Sequence, residues 1–327
     1  MKTNLLLGVL MTLLAGLVQA QVRPPVFMGN VPGIAQMRAI EVQRHQARTL
    51  LYREALEELR KNPAAADVPE CKGGQQPETE LCLVNATAGT VKRPARHVAL
   101  LVGNMAYRSP IPRLETPGTD VDSIAATLAQ RYGFETVMLR NAGKAEIVAA
   151  LNRIARESTP DDAVVVYYAG HGYLMDDTNM GYWIPVDASV KTAANWISNT
   201  DIGKLLKAIP ARQVILVSDS CFSGSLTREQ KVVPSGEVDK WLTQRSVVVL
   251  SSGGEEPVSD EGKNGHSVFA WNLVQALSSR QGAAPGTTVW QEVHRNVSKD
   301  FPQEPQYGAV GSAGHVPGGD FVFRPKP

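Results

Sequence analysis

Two stretches of this sequence end an apolar, β-branched run in residues that can do chemistry. "VVVYYAGHGY" (Val164 to Tyr173) stops at Gly170-His171-Gly172, and "QVILVSDSCFSGS" (Gln213 to Ser225) stops at Cys221 among small residues. A cysteine attacks as its thiolate. An imidazole within reach lowers the thiol pKa and later returns a proton to a leaving amine. Each residue alone has an ordinary explanation: Gly-His-Gly suits many turns, and a single buried Cys usually acts as a small hydrophobe. The pair, each at the end of an apolar run and 50 residues apart, carries the reading of a Cys/His dyad. Gly170 and Gly172 permit a tight turn and close approach of a substrate backbone. The N–H groups of Gly172 and Cys221 are candidate oxyanion-hole donors.

The elements that must position this pair follow a repeating order. Strands are predicted at "HVALLVG" (His97 to Gly103), "ETVMLR", "DAVVVYYA", "QVILVSD" and "SVVVLSS", with "DFVFR" near the end as a candidate sixth. Helices are predicted between them: one from Thr119 or Asp120 as N-cap to Gly133, then Lys144 to Glu157, Asp201 to Ala208, and Ser267 to Ser279. Strands apolar on both faces, alternating with helices, indicate an α/β fold: a mainly parallel sheet of about six strands with helices on both faces. In such sheets functional loops lie beyond the carboxyl ends of the strands. His171 follows the third strand and Cys221 the fourth, with one crossover between them, so the two loops can be neighbours on one edge.

The chain has 327 residues and a formal net charge of +1, with no basic stripe, so nucleic acid is not an expected partner. Lys2, the apolar run Leu5 to Val18 and the small-residue pattern Val18-Gln19-Ala20 read as a signal peptide over residues 1–20. The run is shorter than the about 20 residues of a membrane span, although an uncleaved anchor is the alternative. Residues 21–95 read as an N-terminal helical segment and linker, a candidate propeptide, and residues 96–327 as the main domain. Export to the periplasm or outside the cell means an oxidising compartment. Of three cysteines, Cys71 and Cys82 lie in one polar stretch and could close a small disulfide loop, leaving Cys221 over.

Taken together, "YYAGHGY" and "SDSCFSGS" resemble the catalytic motifs of caspase-like cysteine peptidases, in particular the metacaspases and their bacterial relatives. The likeness runs from about Arg96 to Phe323. It includes "ALLVGNMAYRSPIPRLETPGTDVDSIAATLAQRYGFE", "GYWIPVDA", "VVVLSSGGEE", "HSVFAWNLVQAL" and the late "PQ...GDFVF". It implies a caspase–haemoglobinase fold, His171 as general acid/base and Cys221 as nucleophile. The animal caspase signature "QAC-x-G" is absent, which argues against cleavage after Asp. The family layout instead puts acidic residues at Asp120 and Asp219, where a carboxylate pair would hold a substrate Arg or Lys by bidentate hydrogen bonds. Ser251 and Ser252 are candidate lining residues of the same pocket. Helix capping is the plain alternative for Asp120, and a loop hydrogen bond the one for Asp219.

The expected activity is therefore an exported cysteine endopeptidase cutting protein or peptide substrates after Arg or Lys. A catalytically silent caspase-fold interaction protein is the alternative. No metal or cofactor site is read from the sequence. Some family members need calcium, and Asp176, Asp177, Asp187 and Asp201 are the acidic candidates, without an EF-hand pattern. The polar stretch Ser225 to Ser246 reads as an exposed loop carrying Arg228, Lys231, Lys240 and Arg245. Self-cleavage after Arg228 or Lys231 is the expectation there.

Overall fold

The sheet follows from strands that have no polar face. In the computed structural model, β1 (His97–Gly103), β3 (Ala163–Ala169), β7 (Gln213–Asp219) and β8 (Ser246–Ser251) are buried along nearly their whole length. Such strands need helices on both sides. The structure describes residues 95–175, 180–220, 231–232, 238–253 and 262–326. The signal peptide, the N-terminal segment, Cys71, Cys82, Asp176, Asp177, Cys221 and Arg228 lie outside the described residues.

The main sheet has the order β10-β8-β7-β3-β1-β2, where β2 is Glu135–Arg140 and β10 is Gln306–Ala309. All pairings are parallel except that of β10 with β8. One face is covered by α1 (Pro117–Tyr132), α5 (Val268–Ser278) and α6 (Gly286–Asp300), the other by α2 (Lys144–Glu157) and α3 (Asn199–Ala208). A short helix α4 (Val238–Thr243) precedes β8. A second, antiparallel sheet joins β4 (Gly172–Met175), β5 (Met180–Trp183) and β6 (Ile197–Ser198).

Two expectations need correction. "DFVFR" is not in the main sheet: only Val322–Phe323 is strand (β11), paired with β9 (Ala284–Pro285). The sixth strand is β10, whose four residues, Gln-Tyr-Gly-Ala, show too little apolar patterning to be seen. Asp320 draws the terminal segment inward. It accepts hydrogen bonds from Tyr307 Oη (2.5 Å) and from the backbone (3.0 Å) and hydroxyl (2.8 Å) of Thr287 in the first turn of α6. The second correction concerns α1, which starts at Pro117 and not at Asp120. Proline near a helix start already has helical φ and needs no N–H partner. Asp120 therefore lies inside the helix and caps nothing with its side chain.

Candidate active site

Strand register aligns the ends of the two strands that lead into the motifs. β3 and β7 pair in parallel from Ala163↔Gln213 to Ala169↔Asp219, a constant offset of 50. His171 and Cys221 have that same separation. Each therefore comes two residues after the last paired position of its own strand. Neighbouring strands are about 4.8 Å apart. Gly170 N–H reaches Asp219 O at 3.4 Å and continues the pairing past the strand ends. Cys221 lies outside the described residues; its chain neighbour Ser220 is buried, with its hydroxyl 3.1 Å from Ser218 Oγ.

His171 is held by a frame of aromatic residues. Tyr107 Oη accepts from His171 N–H (2.9 Å) and donates to Ile184 O (2.8 Å), and the Tyr107 ring lies 4.6 Å from the imidazole. Tyr168 Oη donates to His171 O (3.0 Å), and its ring stacks on Trp183 at 4.2 Å. Trp183 in turn donates to Ser218 Oγ of β7 (3.2 Å). Burial pushes the Tyr107 phenol above its ordinary range, so it stays a protonated donor. Gly170 is required by close approach: a Cβ there would sit 2.8 Å from both the Tyr107 and the Tyr168 hydroxyls.

The imidazole tautomer follows from its neighbour. His171 Nε2 lies 2.8 Å from Pro112 O. A carbonyl can only accept, so Nε2 carries the hydrogen and Nδ1 carries the lone pair in the neutral ring. That is the tautomer able to take a thiol proton through Nδ1. The loop before α1 thus helps to orient the ring, through Pro112 and Tyr107. Neither Tyr107 nor Pro112 stood out in the sequence; the polar-aromatic stretch "NMAYRSPIP" between strand and helix was the available signal. Gly172 heads β4, opposite Trp183.

The acidic pair is brought together by α5. Asp120 is fully buried and Asp219 is 7% exposed. Ser267, the N-cap of α5, donates its hydroxyl to Asp219 Oδ2 (2.6 Å) and accepts from Ala270 N–H (2.9 Å), while its backbone N–H donates to Asp120 Oδ1 (3.2 Å). His266 Nδ1 lies 2.8 Å from Asp120 Oδ1. One dipeptide, His266-Ser267, therefore addresses both carboxylates. It lies within "HSVFAWNLVQAL", but nothing in the sequence separated its polar residues from helix capping. Tyr167 is also fully buried, and its phenol interacts with Asp219. Burial first, then the charges of Asp219 and Asp120, hold this phenol well above its ordinary range.

The two serines at the end of β8 differ in their surroundings: Ser251 closes the strand and Ser252 follows it. Ser251 donates its hydroxyl to Gly253 O (2.9 Å), and strand alternation turns it away from Leu250, on the face of Val249. Ser252 falls on the Leu250 face, which is the face of Val217 and Asp219, and its buried hydroxyl has no partner among the described residues.

Of the acidic calcium candidates, Asp187 accepts from Lys144 N–H (3.0 Å) at the start of α2, and Asp201 accepts from its own N-cap, Ser198 Oγ (2.8 Å). Among the described residues no three His, Cys, Asp or Glu side chains are grouped to hold a metal, and no helix is long and apolar enough to cross a membrane.

The family model for the caspase domain matches residues 96–312. Metacaspase-7 of Arabidopsis thaliana is 30% identical over 152 residues, covering 41% of this chain and 36% of its own. Metacaspase-6 of the same plant is 28% identical over 150 residues, covering 41% and 39%. The chain thus matches less than half the length of these relatives. A protein of Geobacter sulfurreducens superposes with a TM-score of 0.51 at 18% identity, over 69% of this chain and 99% of its own. Caspase-1 from Spodoptera frugiperda superposes at 0.50 and 12% identity, over 71% and 90%. At such identities these structures speak to the fold.

Proposed function

This chain belongs to the caspase-domain family and has the caspase–haemoglobinase fold, and on that premise we propose that it is a cysteine endopeptidase cleaving after Arg or Lys. The observation that carries the reading is the register offset of 50 between β3 and β7, shared by His171 and Cys221. The Cys221 thiolate attacks the scissile carbonyl carbon. A tetrahedral oxyanion forms, and the N–H groups of Gly172 and Cys221 are the donors assigned to it. His171, having taken the thiol proton on Nδ1, gives it to the leaving amine as the C–N bond breaks. Water, deprotonated by the same ring, then hydrolyses the thioester and frees the thiol.

Specificity rests on charge. Two buried carboxylates, Asp120 and Asp219, are linked through the His266-Ser267 dipeptide, and the pocket proposed is the space they border. A guanidinium or ammonium entering there finds acceptors at low dielectric, where charge-assisted hydrogen bonds are strong. An Asp side chain would meet like charges. The substrates proposed are proteins or peptides, met in an oxidising compartment after export. A peptide-library cleavage profile tests the reading. Arg and Lys should dominate the position before the cut; a preference for acidic or neutral side chains there would sink the pocket assignment.

A further inference from the structure

The pocket contains a titratable group of its own. His266 Nδ1 lies 2.8 Å from Asp120 Oδ1, the carboxylate assigned above to the substrate's cation. The remaining ring nitrogen, Nε2, lies 3.4 Å from Ser123 Oγ on α1. The side chain keeps 10% of its exposure, against 1% for Asp120, so protons reach the imidazole from solvent. The groups facing it among the described residues are few. From α1 come Asp120 and Ser123; from α5 come Ser267 and the Trp271 ring, 5.8 Å away. Asp219 of β7 is joined through the Ser267 hydroxyl, and Tyr167 of β3 lies in the field of both acids. Lys263 offers its backbone carbonyl to His266 N–H.

We propose that His266 makes cation binding proton-dependent: as an imidazolium it becomes Asp120's own counter-ion and competes with the substrate's Arg or Lys. This rests on the reading of Asp120 and Asp219 as the basic-residue pocket. In the neutral ring the Nδ1–H donates to Asp120 and aims the carboxylate without adding a charge beside it. In the protonated ring the same hydrogen bond becomes an ion pair at 2.8 Å, and a second cation against Asp120 meets a like charge. Burial pushes the His266 pKa below the ordinary 6.5. The ring is therefore neutral at neutral pH, and the competition sets in only as the solution turns acid. Linkage is reciprocal: protons weaken the substrate cation, and the bound cation must depress protonation of His266 by the same factor.

Two fluorogenic peptides identical except for Arg or its uncharged isostere citrulline before the cut read this out. Their ratio of kcat/KM cancels the titration of the catalytic dyad, which both share. In the wild type the Arg/citrulline ratio should fall with acid, approaching roughly tenfold per pH unit for one competing proton. The change should lie in KM for the Arg peptide, with kcat following the citrulline peptide. In His266→Gln the ratio should be flat over the same range. As an independent measure, the His266 ring protons of the Cys221→Ala protein are titrated by NMR with and without agmatine, which should lower the titration midpoint. A strong Arg preference that does not change with pH would overturn the role of His266 and leave the pocket standing. No Arg preference at any pH would overturn the pocket itself. A ratio that still falls in His266→Gln, or a midpoint unmoved by agmatine, places the titration elsewhere and refutes the inference.

Discussion

Replacing Asp219 by Asn removes one charge from the pocket and little else. The Asn side-chain oxygen can still accept from Ser267 Oγ, which now donates to Asp219 Oδ2 at 2.6 Å. The N-cap bond from Ala270 N–H to Ser267 is untouched, so the fold should be retained. Asp219 is 7% exposed, so solvent screens it poorly. Two unit charges about 4 Å apart interact by about 4 kcal/mol at an effective dielectric of about 20. At about 1.4 kcal/mol per decade that corresponds to roughly a thousandfold. Asp120 remains and shares the guanidinium, so the expected loss in kcat/KM for an Arg peptide is about a hundredfold to a thousandfold. A citrulline peptide should lose less than about tenfold, the scale of one neutral hydrogen bond. Parallel assays of both peptides with wild type and Asp219→Asn, alongside a melting curve, make the comparison. Equal losses for the two peptides would mean that Asp219 only supports the loop, and the charge argument would fail.

Arg245 lies in the segment read as a cleavable linker, yet its guanidinium is engaged. It donates to the carbonyls of Ile209 (2.9 Å), Ala211 (2.7 Å) and Ala313 (3.2 Å), at the end of α3 and in the C-terminal segment. Arg245→Met should lower the urea-unfolding free energy by about 2–4 kcal/mol, since buried acceptors lose a charged donor; no change would refute that role. Lys231, by contrast, is exposed. Wild-type protein should yield fragments ending at Arg228 or Lys231 by mass spectrometry while Cys221→Ala stays intact, and an active wild type with an unbroken loop would contradict this. His315 Nδ1 accepts from Val247 N–H (3.2 Å), and burial lowers its pKa below 6.5. The unfolded chain therefore takes up this proton first, so stability is present above about pH 6.5 and is lost as pH falls toward the folded value. The urea midpoint should drop on acidification below pH 6.5, and less in His315→Gln; identical profiles would exclude His315 as a source.

The fold was legible where burial is two-sided. β1, β3, β7 and β8 read as unbroken apolar runs because helices cover both faces, and their boundaries agree closely with the structure. What escaped was short or amphipathic. β4 to β6 span two to four residues each. The α6 stretch "GTTVWQEVHRNVSKD" presents a single apolar stripe, Val289, Val293 and Val297, to the core, and it was not singled out. Of the candidate site, His171, Asp120, Asp219 and Ser252 were legible because each follows or adjoins an apolar run or matches a family motif. Tyr107, Pro112 and His266 were not. Their contributions depend on contacts between residues 59 to 146 positions apart, which local pattern does not encode. Pro112 acts through its backbone carbonyl, so its side-chain identity carries no signal for that role.

Cys221, assisted by His171, is the proposed nucleophile of an Arg/Lys-directed peptidase. An arginyl peptide carrying an electrophilic ketone, incubated with the purified protein and followed by peptide mapping, tests it most directly. One covalent adduct is expected, on Cys221, formed in step with loss of hydrolysis, much slower in His171→Ala and absent in Cys221→Ala. Hydrolysis of Arg peptides persisting in a folded Cys221→Ala protein, or labelling at another residue with activity lost, would contradict it.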